Sequence, residues 1–396
     1  LERDEALWSE VDGTLCFIDI SGFTALSERL AAKGRVGAEE LTEVLSRVFG
    51  TMLDLVALRG GTLLKFGGDA LLLLFEGPDH AMQAASAAVE MRAALRKAAD
   101  VPTSVGKVAL RMSVGLHSGS VHLFTLEGTH RELIVAGPAS SRVNLMEGTA
   151  DAGEIVISEA TRALLPPDAA TTPKGEGWIL RWRTSKVTAC GVPAFYDEEP
   201  AEPERYLSSG LRSHLGGGAL DSEHRLATVL FVKVFGVDDR LASDGADVSS
   251  AALQHLIAGV TRIADEEEVT FLATDVDANS FKIILVAGVP TTSLDEDGKA
   301  LRTARAIADL DTPFDLKLGV NRGHVFSGEV GTSSRSTFTI MGDTVNLAAR
   351  LMAAAQAGSV YVTPHVVDGS TTLFATEPVP PFYVKGKSQP VNALAP

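Results

Sequence analysis

The feature that most constrains this 396-residue chain is that it carries one pattern twice. TLCFIDISGF (residues 14–23) has a counterpart in ATVLFVKVFG (227–236), and VGLHSGSVHLF (114–124) has one in LGVNRGHVFSG (318–328). The runs that start at Val135 and Ile340 repeat the same 16-residue step between glycines, 137 to 153 and 342 to 358. Asp19 to Lys233 is an offset of 214 and Gly137 to Gly342 one of 205, so the copies differ by small insertions and deletions. Such self-similarity implies two versions of one domain. They are assigned to residues 10–197 and 225–396, joined by a linker at 198–224 that is rich in Pro, Gly and charge and has room for a short helix.

With 45% hydrophobic and 22% charged residues, the chain has apolar material for a core in each copy. A net charge of −16 argues against a nucleic-acid partner, and a phosphate-bearing ligand would need local cations or metal ions to hold it. No stretch is apolar for long enough to span a bilayer. Two cysteines, Cys16 and Cys190, give no disulfide framework, as expected of a reducing, cytoplasmic setting. The chain opens on Leu1 rather than Met, as a piece of a longer protein would.

In the first copy the pattern predicts a strand over 14–20, helices over 23–32 and 37–58, and a hairpin of strands 62–66 and 70–75 turning at KFGGDA. An Ala-rich helix over 80–99 follows, then strands over 109–116 and 120–126 and a short helix and strand to Ser158. The order is βαββαβ, a ferredoxin-like α+β arrangement, and the second copy repeats it.

Asp19 is anomalous inside an apolar strand. In a βαββαβ domain the end of the first strand adjoins the tip of the central hairpin, so Asp19 and Asp69 are expected side by side. Singly, Asp19 reads as a helix cap and Asp69 as a turn residue. Together they point to hard divalent cations, which accept a few carboxylates and complete their shell with water and phosphate. The backbone N–H groups of Gly22 to Thr24, opening a helix, suit a polyphosphate. In the second copy Asn346 and Arg350 share one face of a helix otherwise made of apolar or small residues, and so require partners. The losses between copies are complementary. Lys233 replaces Asp19, while Ser141 and Leu145 replace Asn346 and Arg350, so one of two pseudo-symmetric pockets keeps a full set.

FIDISGFT, LLKFGGDALLLLF and TFTIMGDTVNLAARLM together resemble the class III nucleotidyl cyclases, and the tandem layout is similar to that of soluble adenylyl cyclase and its bacterial relatives. The resemblance implies two cyclase homology domains paired head to tail as a pseudo-heterodimer within one monomeric chain, with the active site at their interface. It implies that Asp19, Asp69 and the Ile20 carbonyl hold two Mg²⁺ or Mn²⁺ ions, and that Gly22, Phe23 and Thr24 line the triphosphate. Asn346 then orients the ribose, Arg350 meets the α-phosphate and Thr339 reads the base, with ATP as substrate and cyclic AMP and pyrophosphate as products. Lys385 and Lys387 match a late phosphate-binding segment.

Some positions depart from that pattern. The adenine-reading lysine is expected near Thr270, where there is none, and Lys282 lies too far along the hairpin. The Glu and Cys pair of guanylyl cyclases is also absent, which leaves ATP ahead of GTP. Ser113 replaces a basic phosphate contact, for which Arg111 is the substitute on the same strand face. By the same resemblance the degenerate pocket is a regulatory site for bicarbonate at Lys65 and Arg142, and an ATPase-like region with repeats lies beyond Pro396. The alternatives are a non-catalytic nucleotide-sensing module and a guanylyl cyclase.

Overall fold

The unbroken apolar run around Cys16 reflects burial on both faces of a strand. In the computed structural model, which describes residues 6–98, 103–106, 110–170, 172–181, 188, 190, 202–215, 222–332, 335–384 and 389–396, the run forms the inner part of β1 (Trp8–Ser21). Cys16, Ile18 and Ile20 face one core, and Leu15 and Phe17 face another, the alternation that a pleated strand imposes. The first core is roofed by α1 (Phe23–Ala31), α2 (Arg35–Leu58) and α3 (His80–Ala98).

The hairpin consists of β2 (Gly61–Gly67) and β3 (Ala70–Glu76), followed after α3 by β4 (Arg111–Glu127), β5 (Arg131–Ala136) and α4 (Pro138–Thr149). Short elements β6 (Ile155–Ile157), α5 (Glu159–Ala163), β7 (Thr172–Lys174) and β8 (Gly177–Ile179) complete the first repeat. The expected strands at 109–116 and 120–126 are one continuous strand, β4, because Gly119 pairs with Gly13 and keeps the ladder with β1 unbroken.

The linker's middle is indeed helical, as α6 (Ser209–Leu215). It touches both repeats: Ser209 Oγ donates to Asp265 Oδ1 at 2.6 Å, and Arg212 donates to the Thr129 carbonyl at 3.2 Å.

The second repeat runs β9 (Glu223–Phe235), α7 (Val237–Glu266, interrupted at Gly245), β10 (Thr270–Asp277), β11 (Ser280–Ala287), α8 (Glu296–Ala308), β12 (Asp315–Thr332), β13 (Arg335–Met341) and α9 (Asp343–Ala354). It ends with β14 (Val360–Val362), α10 (Pro364–Gly369), β15 (Glu377–Phe382) and β16 (Val391–Ala395). The two sheets have the same order, β2-β3-β1-β4-β6-β8-β7 and β10-β11-β9-β12-β14-β16-β15, with β5 on β4 and β13 on β12. The inner order β2-β3-β1-β4 is the ferredoxin-like one. No described helix is long and apolar enough to cross a membrane.

The repeats interlock. The far end of β4 and its partner β5 bring Phe124, Leu126, Ile134 and Ala136 into the second repeat's core beside Leu253, Ile257 and Val260 of α7. In return β12 and β13 bring Phe326, Val330 and Met341 into the first repeat's core beside α2. Polar contacts fix the arms, among them Glu127 N to Gln254 Oε1 at 2.8 Å and Thr129 N to Thr261 Oγ1 at 3.2 Å. The sheet face left open by α1–α3 is covered by α4 and by Val276 of β10. The result is the head-to-tail pair that the resemblance implied.

Candidate active site

Asp19 stands near the end of β1, in register with Ala70 of β3 on one side and Ser113 of β4 on the other. The hairpin turn folds over it: Ile20 N donates to the Asp69 carbonyl at 3.0 Å, and Gly68 takes the left-handed φ of 69° that this tight turn needs. Asp69 is thereby set beside Asp19. Its carboxyl is pushed up to about 7, first by burial and then by the charge of Asp19, with Asp275 and Glu147 adding to it. Two carboxylates in so poorly solvated a corner fit a divalent cation, which would remove this mutual repulsion. Among the described residues no group of three or more His, Cys, Asp or Glu is arranged to cage a metal. The two carboxylates suit an ion that takes its other ligands from water and phosphate.

Asp19 and Asp69 open into a cavity of about 310 Å³ between the repeats, which is also lined by Phe23 but not by Ile20. Its opposite wall belongs to the second repeat, with Thr339 on β13 and Asn346 on α9. Thr339 is buried, and Gly342 turns the chain from β13 into α9. Arg350, one helical turn beyond Asn346, is half-buried and is not among the residues that line the cavity.

The second hairpin contributes a pair absent from the expected set. Lys282 Nζ lies 3.3 Å from Asp275 Oδ2 and 3.9 Å from Asp277 Oδ2, and both Lys282 and Asp275 line the cavity. Burial works against the Lys282 ammonium, but Asp275 and Asp277 outweigh it and hold its pKa above the usual lysine value. Lys282 was expected to lie too far along. It reaches the cavity because the β10–β11 ladder places it directly opposite Asp275. The alternation on β11, where Lys282 and Ile284 share the inner face, is the signal that could have found it. Asn144 and Glu147 of α4 also enter from the first repeat.

Other anticipated residues fall elsewhere. Arg111 is exposed and lines a separate depression with Arg92 and Arg96, so it does not stand in for the missing base beside Asp19. Ser113 instead donates to Glu147 Oε1 at 2.7 Å. Gly22, with φ 108°, precedes α1. The side chain of Thr24, and Lys385 and Lys387, lie outside the described residues. Lys65 is ion-paired with Glu132 and donates to Thr274 Oγ1 at 2.7 Å, whereas Arg142 pairs with Glu176 at 2.6 Å on the surface. The two side chains expected to share a bicarbonate are thus committed to different partners.

At the pseudo-symmetric position, Lys233 pairs with Asp277 at 2.8 Å. Ser141 Oγ donates to Asp238 Oδ2 at 2.6 Å and accepts from Asn279 N at 2.7 Å, which draws the second hairpin's tip and the first turn of α7 onto α4.

The profile of the family described as the adenylate and guanylate cyclase catalytic domain matches residues 9–180 and 224–393. Adenylate cyclase type 10 of Homo sapiens is 25% identical over 390 residues, covering 86% of this chain but only 24% of its own length. The chain therefore spans about a quarter of that relative. An adenylate cyclase of Mycobacterium bovis is 23% identical over 311 residues, covering 70% of this chain and 68% of its own. Among solved structures, a class III adenylyl cyclase-like ATP-binding protein from Pseudomonas aeruginosa shares the fold, with a TM-score of 0.66 and 13% identity over 94% of this chain and 89% of that one.

Proposed function

The chain belongs to the adenylate and guanylate cyclase catalytic domain family, and on that footing we propose that it is an adenylyl cyclase making 3′,5′-cyclic AMP and pyrophosphate from ATP at a single site between its repeats. The observation that carries the reading is that Asp19 and Asp69 of one repeat and Thr339 and Asn346 of the other line one cavity. Asp19, Asp69 and the Ile20 carbonyl would hold two Mg²⁺ or Mn²⁺ ions, which supply charge at the phosphate oxygens and acidify the ribose 3′-hydroxyl. Asn346 orients the ribose so that this hydroxyl lies in line with the α-phosphorus. Arg350, one turn beyond Asn346 and outside the cavity lining, would have to reach in to offset the charge that grows there as pyrophosphate leaves. At the base end, the Lys282 ammonium suits adenine N1, and Thr339 Oγ or Asp275 can accept from the 6-amino group.

One observation favours a second reading. Asp275 is a carboxylate in the cavity, and a carboxylate can accept from the N1–H and 2-amino groups of guanine, which makes GTP the competing substrate. Bicarbonate control requires both the Lys65–Glu132 and Arg142–Glu176 pairs to open, and so is not part of the primary reading. The test is incubation of the purified chain with ATP or GTP and Mg²⁺ or Mn²⁺, with detection of cyclic nucleotide and pyrophosphate. Cyclic AMP in excess, lost in Asp19→Ala, supports the proposal; cyclic GMP in excess favours the second reading. Nucleotide binding without either product leaves a sensing module.

A further inference from the structure

Helix α4 packs against β4 more closely than a side chain at residue 115 would allow. A Cβ on Gly115 would lie 2.3 Å from Glu147 N and 2.4 Å from the Val143 carbonyl. This contact seats the last turn of α4 over the strand, and the Ser113 hydroxyl, two residues back on the same face, donates to Glu147 Oε1 at 2.7 Å. Ser113 is in turn the ladder neighbour of Asp19. Glu147 lines the catalytic cavity with Asp19 and Asp69, and its charge is felt at both Asp69 and Lys282. The second repeat makes the same close approach, with Gly319 against α9, but the residue there is the buried Met352. A carboxylate at this place is therefore peculiar to the half that holds the aspartates.

We propose that Glu147 is a positioning residue of the cation site, acting through Ser113 and its own charge rather than by replacing Asp19 or Asp69 as a ligand. The inference rests on the two-cation reading above. With Ser113 where the resemblance places a basic phosphate contact, and Glu147 bonded to it, this corner is an acidic wall that attracts a divalent ion before nucleotide arrives. Outer groups of this kind commonly set metal affinity by about tenfold or more.

The test is Mn²⁺ binding to the intact, nucleotide-free chain, read from the loss of the free-ion electron paramagnetic resonance signal, with thermal unfolding run on each variant. Glu147→Gln is expected to weaken Mn²⁺ binding about tenfold with little change in melting temperature. Glu147→Asp is expected to recover part of the loss, and Ser113→Ala to reproduce part of it. Unchanged Mn²⁺ affinity in Glu147→Gln, alongside abolished binding in Asp19→Ala, overturns the role of Glu147 and leaves the cation site standing. Equal Mn²⁺ binding by wild type and Asp19→Ala overturns the cation site itself. If Glu147→Gln lowers the melting temperature and Glu147→Asp restores it without restoring Mn²⁺ affinity, the residue is structural and the inference fails.

Discussion

Asp19 and Lys233 occupy the same ladder position in the two repeats, each between the hairpin strand and the long strand. Asp19 has Ala70 and Ser113 as cross-strand neighbours, and Lys233 has Lys282 and Lys317. The first pocket collects carboxylates and stays open, with a cavity of about 310 Å³. In the second, Lys233 supplies an internal cation to Asp277, and Ser141 ties Asp238 and the Asn279 backbone together. One backbone thus yields a site whose electrostatics call for an added cation and a mirror position occupied by a lysine–aspartate pair and by the Ser141 bonds.

The contrast is broken most severely at the aspartates. Asp19→Ala and Asp69→Ala should each lower cyclic nucleotide formation by roughly three orders of magnitude, and chelation with EDTA should do the same to the wild type. Far-UV circular dichroism should be unchanged, since neither side chain holds the core. Arg350→Ala should cost about a hundredfold in turnover. Its mirror change, Leu145→Arg, should restore nothing to Asp19→Ala, because Lys233, paired with Asp277, stands where a second aspartate would be needed; recovery of product would mean that the mirror position can act without one.

Smaller effects sharpen the comparison. Lys65→Met leaves Glu132 at the domain interface with the Thr274 hydroxyl but without its cation and should cost about 2–3 kcal/mol in urea unfolding, while the rate per folded molecule, with or without bicarbonate at fixed pH, stays near wild type. Finally, folded Asp69 keeps its proton to about pH 7, whereas in an unfolded chain it is lost near pH 4. The folded state binds the extra proton in that window, so the stability of the metal-free protein should fall as pH rises through it, by about 1 kcal/mol or more. Asp69→Asn should flatten this dependence, and added Mn²⁺ should raise the melting temperature more at pH 8 than at pH 6.

The repeat, the strand order and the meeting of Asp19 with Asp69 were legible in the sequence because each follows from local pattern plus one topological rule. Lys282 was not. Its distance along the chain from Thr270 suggested the wrong end of the hairpin, and only the pairing of Asp275 with Lys282 turns that distance into proximity. Arg111 failed for the opposite reason: it shares a strand face with Ser113, but is exposed and lines a different depression. The bonds at the mirror position were hidden too, since Asp238 and Asn279 meet Ser141 from another repeat. Spacing specifies which strand face a residue takes, whereas pairing across domains specifies what that face meets.

The interlocked arms carry a consequence for how such a protein can be divided. Half a chain produced alone would present bare Phe326, Val330 and Met341, or Phe124, Leu126 and Ile134, to water, together with a core missing its lid. Each half is thus the other's final piece of hydrophobic interior, and a proteolytic nick in the linker would forfeit effective concentration rather than the union itself. Two separately encoded halves would behave as an obligate partnership, soluble only where they are made together.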